Sequence, residues 1–236
     1  MVSSDFRKEA RENLSGKWGK AACITLAYAF IFFILGLIQG LFPDSMQSLL
    51  SLVVSIIEVP LAFGLIISFV KLFNDDEIKA FDFLSSGFSN FGKSWGITFQ
   101  IFLKMLAPII LMVVAVLILA FGAVQSIAPL VSSSSSTASI WNITKSYYYQ
   151  LAYIVAAENP ELSAKETVEE SQKLMTGKRG KLFCLQLSFI GWAILAVFTL
   201  GIGYLWLTPY IQLAIIAFYK FACGKNEINN DNSTNE

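Results

Sequence analysis

Histidine is absent from the 236 residues, which removes imidazole acid–base catalysis and every His-dependent metal site. Charge is scarce. Asp, Glu, Lys and Arg make up 14% of the chain, against about a quarter in an ordinary soluble domain. Seventeen Lys and Arg balance seventeen Asp and Glu, so net charge points to no polyanionic partner and no nucleic acid is expected. The three cysteines, Cys23, Cys184 and Cys223, are far apart with no CxxC pair. Each sits in or beside an apolar run, where a thiol behaves as a small hydrophobe. There is no HExxH, GxSxG, Walker or GxGxxG pattern. The chain is read as no enzyme, with no catalytic residue, cofactor or metal.

Apolar residues are abundant: 55% of the chain, with a mean hydropathy of +0.61. They gather in blocks long enough to cross a bilayer, which takes about 20 predominantly apolar residues. Spans are predicted at Ala21–Phe42, Met46–Val70, Ser94–Val124, Leu182–Leu200 and Gly203–Ala222. A weaker one, Ile140–Ala157, carries Lys145 and the run Tyr147, Tyr148, Tyr149, and would cross with its polar groups facing protein. Runs of this length are helices rather than barrel strands of about ten residues. The third is overlong and is expected to tilt, bend at Pro108 or protrude. Ser3 to Lys20 is too polar for a cleavable signal peptide, so the first run is expected to stay in the membrane. The expected fold is an all-α integral membrane protein, a single domain over 1–236, with six transmembrane helices as three hairpins.

Positive charge sets the expected orientation. Lysine and arginine cluster at Arg7–Lys20, at Lys71, Lys79 and Lys93, at Lys165–Lys181, and at Lys220 and Lys225. The alternate connections near Pro43–Ser45, Gln125–Ser139 and Gly201 have none. Both termini are therefore expected in the cytoplasm, the Ser-rich run Ser132–Ser136 outside, and 225–236 as a disordered cytoplasmic tail.

An internal repeat is legible. Three similar phrases lead into the odd-numbered spans: Gly16-Lys-Trp-Gly-Lys20, Gly92-Lys-Ser-Trp-Gly96 and Gly177-Lys-Arg-Gly-Lys181. Each follows a short amphipathic stretch on the cytoplasmic side: Ser4–Leu14, Ile78–Asn90 and Leu162–Met175. In the second, Phe81, Leu84, Phe88 and Phe91 form the apolar stripe. Pro60 and Pro209 stand alike before Lys71 and Lys220, and Tyr148-x-Gln150-Leu-Ala152 matches Tyr210-x-Gln212-Leu-Ala214. The implied units are 4–73, 78–158 and 162–222, in parallel orientation, an arrangement that suits either a transporter with a site near the common axis or an inert scaffold.

Two charges lie deep in predicted spans. Glu58 stands thirteen residues before Lys71, and Lys104 eleven after Lys93, so both are roughly 16–20 Å from the cytoplasmic interface. A charge at such depth pairs or lines a wet path, and the two are expected to approach one another. Pro60 and Pro108 nearby, like Pro209, mark helix bends that free a backbone carbonyl. Tyr149 and Tyr153 share a face. With Gln150 and Gln212 they either complete an intramembrane polar site or serve packing, while Trp141, Tyr147 and Tyr148 form an aromatic belt at the outer interface. Gly36-x-x-x-Gly40 fits close helix contact.

The stretches Tyr153-Ile-Val-Ala-Ala-Glu-Asn-Pro160, Ser171-Gln-Lys-Leu-Met-Thr-Gly177, Lys181–Trp192 and Leu200–Tyr210, with Arg11–Lys20 at the start, resemble the DUF975 family. Its members are multi-pass membrane proteins found mainly in Gram-positive bacteria. The resemblance implies a bacterial plasma membrane protein and supplies no catalytic residues. Around the fourth span the chain departs from the family pattern, with its Ser-rich loop and tyrosine cluster. The function expected is a membrane scaffold or an accessory, assembly or stress-tolerance factor, with the lipid bilayer and a membrane-protein partner or second copy as its company. The alternative is a small transporter or a lipid- or solute-handling protein with a polar site around Glu58 and Lys104.

Overall fold

The structure, a computed structural model, describes residues 2–122 and 149–224, and only the backbone at 44, 107–109 and 111–122. The expected loop at Gln125–Ser139, the first half of the fourth span and the tail at 225–236 lie outside the described residues, as does the Pro108 side chain. Among the described residues the chain is all helix with no strand: α1 (Ser3–Leu14), α2 (Trp18–Gly40), α3 (Asp44–Phe73), α4 (Asp82–Ser89), α5 (Phe91–Gly122), α6 (Ala152–Glu158), α7 (Ala164–Met175), α8 (Arg179–Leu187), α9 (Ile190–Phe198) and α10 (Tyr204–Ala222).

Four helical stretches among the described residues are long and apolar enough to cross a membrane: Trp18–Gly40, Ser45–Phe73, Arg179–Phe198 and Tyr204–Ala222. They match the first, second, fifth and sixth expected spans. The fifth is interrupted between α8 and α9, where the Ser188 hydroxyl donates to the Leu185 carbonyl at 2.6 Å. The third expected span lies within the 32 residues of α5 as far as Gly122, its last two residues falling outside the described ones, and α6 is in the described end of the fourth.

Local chemistry explains where the short helices stop. After α1, Ser15 has φ −57 and ψ 125, Gly16 has φ +75, and Lys17 N–H donates to the Leu14 carbonyl at 2.8 Å. This is a type II turn, whose third position needs a positive φ and so takes glycine. Thr176 and Gly177 repeat it after α7, with Lys178 N–H on Met175. The middle phrase differs: Gly92 lies inside α5, with Asn90 ending α4. At the end of α3, Asp75 takes the left-handed position (φ +65) and Asp76 N–H closes back on the Lys71 carbonyl at 3.0 Å, a Schellman closure.

Each short helix packs along a long partner. α1 lies on α10, burying Phe6, Ala10 and Leu14, with the Phe6 ring 5.4 Å from both Phe218 and Phe221. α7 lies against α5 and α6, burying Val168, Ser171 and Met175. α4 lies on α3, but its buried residues are Phe83 and Gly87; Phe81, Phe88 and Phe91 of the expected stripe are exposed. The reason is steric. A Cβ on Gly64 would collide with the Phe83 carbonyl, and one on Gly87 with the Pro60 carbonyl, so backbone meets backbone and the glycine face turns inward. Gly36 and Gly40, by contrast, face open space among the described residues, and the close contact expected there is not made by any of these. Leu213 to Tyr219 of α10 are all buried, whereas Phe30, Phe33, Leu52, Ile194 and Phe198 stay exposed on outer faces, as suits a lipid solvent.

Candidate functional site

The deep polar residues assemble around α5, α6 and α7. Lys104 Nζ donates to Gln172 Oε1 at 3.1 Å, and Gln172 Nε2 donates to the Tyr149 hydroxyl at 2.9 Å. One turn along, the Thr98 and Tyr153 hydroxyls share a hydrogen bond of 2.6 Å, and the Tyr153 ring lies 5.4 Å from Phe63. Lys104, Tyr149 and Tyr153 are thus brought together, over a small core of Phe63, Ile97, Ala152 and Val168. Gln150 and Gln212 are half-buried and take no part in this chain of bonds.

Glu58 is elsewhere. It is exposed on α3, and among the described residues it forms no ion pair with Lys104. The pairing expected from their equal depth fails because depth along a helix does not set which face a side chain occupies. Lys104 faces α7, and its partner is a neutral glutamine. Next to Glu58, Pro60 cannot donate to the Ile56 carbonyl; Trp95 Nε1–H fills that role from α5 at 3.2 Å. Pro60 and Pro209 are both buried inside continuous helices.

A second set of contacts gathers where α3, α6 and α10 end. The last carbonyls of a helix have no intrahelical donor and carry partial negative charge. Three lysines supply them. Lys17 Nζ donates to Leu72 at 3.2 Å and pairs with Asp75. Lys93 Nζ reaches Ala156, Asn159 and Pro160 at 3.4, 3.2 and 2.9 Å. Lys178 Nζ donates to Ala222 at 2.7 Å. These are the lysines of the three Gly-Lys phrases, and each reaches the end of a later helix: α3, α6 and α10. A side-chain relay joins the same ends: Lys220 Nζ donates to Asn74 Oδ1 at 2.6 Å, and Asn74 Nδ2 to Glu158 Oε1 at 3.1 Å. Asn159 Nδ2 also donates to the Tyr219 hydroxyl at 3.4 Å.

Sequence reasoning missed Gln172, Thr98, Trp95 and Asn74. Trp95 had a signal, since a proline inside an apolar helix leaves a carbonyl that some donor must meet. Outside the long helices, Glu166 closes a capping box with Ser163 at the start of α7, and the Ser163 hydroxyl and N–H hold its carboxyl below the usual range. Among the described residues no group of His, Cys, Asp and Glu could hold a metal ion.

The chain belongs to the DUF975 family, described as a protein of unknown function, whose model matches residues 1–225. No curated protein and no solved structure matches it. Family and apolar helices together mark it as a membrane protein.

Proposed function

We propose that the protein is a non-enzymatic membrane scaffold or accessory factor, built as three parallel units over 4–73, 78–158 and 162–222. Each unit is a short amphipathic helix, a lysine-bearing phrase and a membrane hairpin, giving six spans with both termini in the cytoplasm of a bacterial cell. The observation that carries this reading is the recurrence of the lysine contact at Leu72, Ala156 and Ala222. The order of packing supports it too: α4 rests on α3 of the unit before, α7 on α6 of the unit before, and α1 on α10 of the last, closing a ring. A bundle fastened in this way, with Leu213 to Tyr219 of α10 buried, is suited to holding shape rather than to alternating access.

A second reading, a small transporter or solute-handling protein, draws on one observation. Ser48, Ser51, Ser55 and Glu58 are all exposed and fall at alternating steps of three and four along α3, one polar face reaching to mid-helix. Native mass spectrometry of the protein released from its own membrane separates the two. The scaffold reading predicts a stoichiometric protein partner or a second copy. A retained small solute, lost in Glu58→Gln, would replace it with the transporter.

A further inference from the structure

A cavity of about 300 Å³ lies between α1, α2, α9 and α10, within the size range of ligand sites. Its walls include Trp18, Trp192, Leu195, Trp206 and Tyr210, so three of the five tryptophans of the chain meet there. The Trp18 ring stands 6.1 Å from Tyr210. The wall's hydroxyl at Thr199 is already satisfied: it donates to the Ala196 carbonyl at 2.7 Å and accepts from Gly203 N–H at 2.9 Å. Arg11 is the charged residue of the lining. One turn earlier on α1, on the same face, Arg7 has a buried Nε with no hydrogen-bond partner. Trp192, Leu195 and Trp206 are exposed on helices apolar enough to span, so the cavity opens sideways toward acyl chains.

We propose that this cavity binds one anionic phospholipid. An acyl chain lies among the tryptophans and Leu195, and the headgroup phosphate accepts hydrogen bonds from the Arg11 guanidinium, with Arg7 beside it. The chemistry follows from the parts. A guanidinium matches a phosphate with two parallel N–H donors. Tryptophan and tyrosine are the side chains that settle where lipid headgroup meets chain. Apolar walls leave a soluble phosphate without company, and the lining offers a lipid ammonium no carboxylate, so its charged contact is to the phosphate, through Arg11. The inference stands whether the protein is a scaffold or a transporter.

The test is native mass spectrometry of the full chain from nanodiscs holding equal phosphatidylglycerol and phosphatidylcholine. One phosphatidylglycerol per chain is expected to survive activation that strips the remaining lipid. Arg11→Gln is exposed and leaves the fold intact; it is expected to cut retention about tenfold, with Arg11→Lys between. Leu195→Trp, at the open rim, is expected to reduce retention by obstructing the chain. Equal retention of the two lipids, or retention unchanged by Arg11→Gln, would overturn the proposal.

Discussion

Lys178 donates its ammonium to the main-chain carbonyl of Ala222 across 2.7 Å, joining the start of α8 to the last residue of α10, 44 positions away. The acceptor is one of the carbonyls that a helix end leaves without a donor, and the lysine brings positive charge to the negative pole of the helix. Lys17 stands in the same relation to Leu72, and Lys93 to Ala156.

The contact between α3 and α4 is set by two glycines. Adding a methyl at Gly64 or Gly87 drives it into main-chain atoms of the facing helix, and backbone cannot step aside as a flexible side chain can. Gly64→Ala and Gly87→Ala should each lower stability by about 3 kcal/mol. Gly36→Ala, facing open space in mid-helix, should be neutral or gain up to about 1 kcal/mol. Thermal unfolding in detergent reads all three, and a Gly36→Ala loss equal to the others would contradict the packing.

Trp95 and Pro60 act through one carbonyl. Trp95→Phe leaves the Ile56 oxygen without its donor and should cost about 1–3 kcal/mol. Pro60→Ala restores a backbone N–H for that oxygen, so Trp95→Phe should cost markedly less in the Pro60→Ala background. A double-mutant cycle measures the difference; equal costs in both backgrounds would remove the link.

Much of this fold could be read from the residues, and the misses have a common cause. The C-terminal ends of α1 and α7 were legible because Gly16 and Gly177 perform a local task that few residue types can do. Counting places Glu58 and Lys104 along their helices, but the faces they occupy depend on how neighbouring helices pack. Gln172 sits on a short helix far along the chain, and nothing in its neighbours announces a partner at Lys104. Gly64 and Gly87 meet across two helices and form no pattern within either. The lysine phrases were visible as a repeat, while their acceptors, being backbone carbonyls, leave no mark in a sequence.

Exchanging charges between Glu58 and Lys104 should not restore what either change alone removes, because the two are not paired. Lys104→Met and Gln172→Leu should instead couple, by about 0.5–3 kcal/mol, through the 3.1 Å bond they share. Rescue by the Glu58→Lys, Lys104→Glu double variant, read as recovered folded yield, would contradict the arrangement.

The start of α7 should depend on pH. The folded Glu166 carboxyl titrates below its ordinary value, chiefly because of the Ser163 hydroxyl. Its contribution is therefore full above the unfolded carboxyl's pKa and is lost as pH falls through the lower folded value. Ser163→Ala should destabilise by about 1 kcal/mol near neutral pH, and the gap to wild type should narrow in acid. Melting curves over that range check this; a constant gap would exclude the linkage.

The most direct test of the three-unit account is the stability, in one lipid nanodisc, of Lys17→Met, Lys93→Met and Lys178→Met measured side by side. Each removes a charged donor from the end of a helix, and each should cost about 1–3 kcal/mol, with the corresponding arginine variants keeping part of the loss. Comparable losses at all three positions are what the account predicts. A single lysine carrying the whole effect, or no loss at any of them, would contradict it.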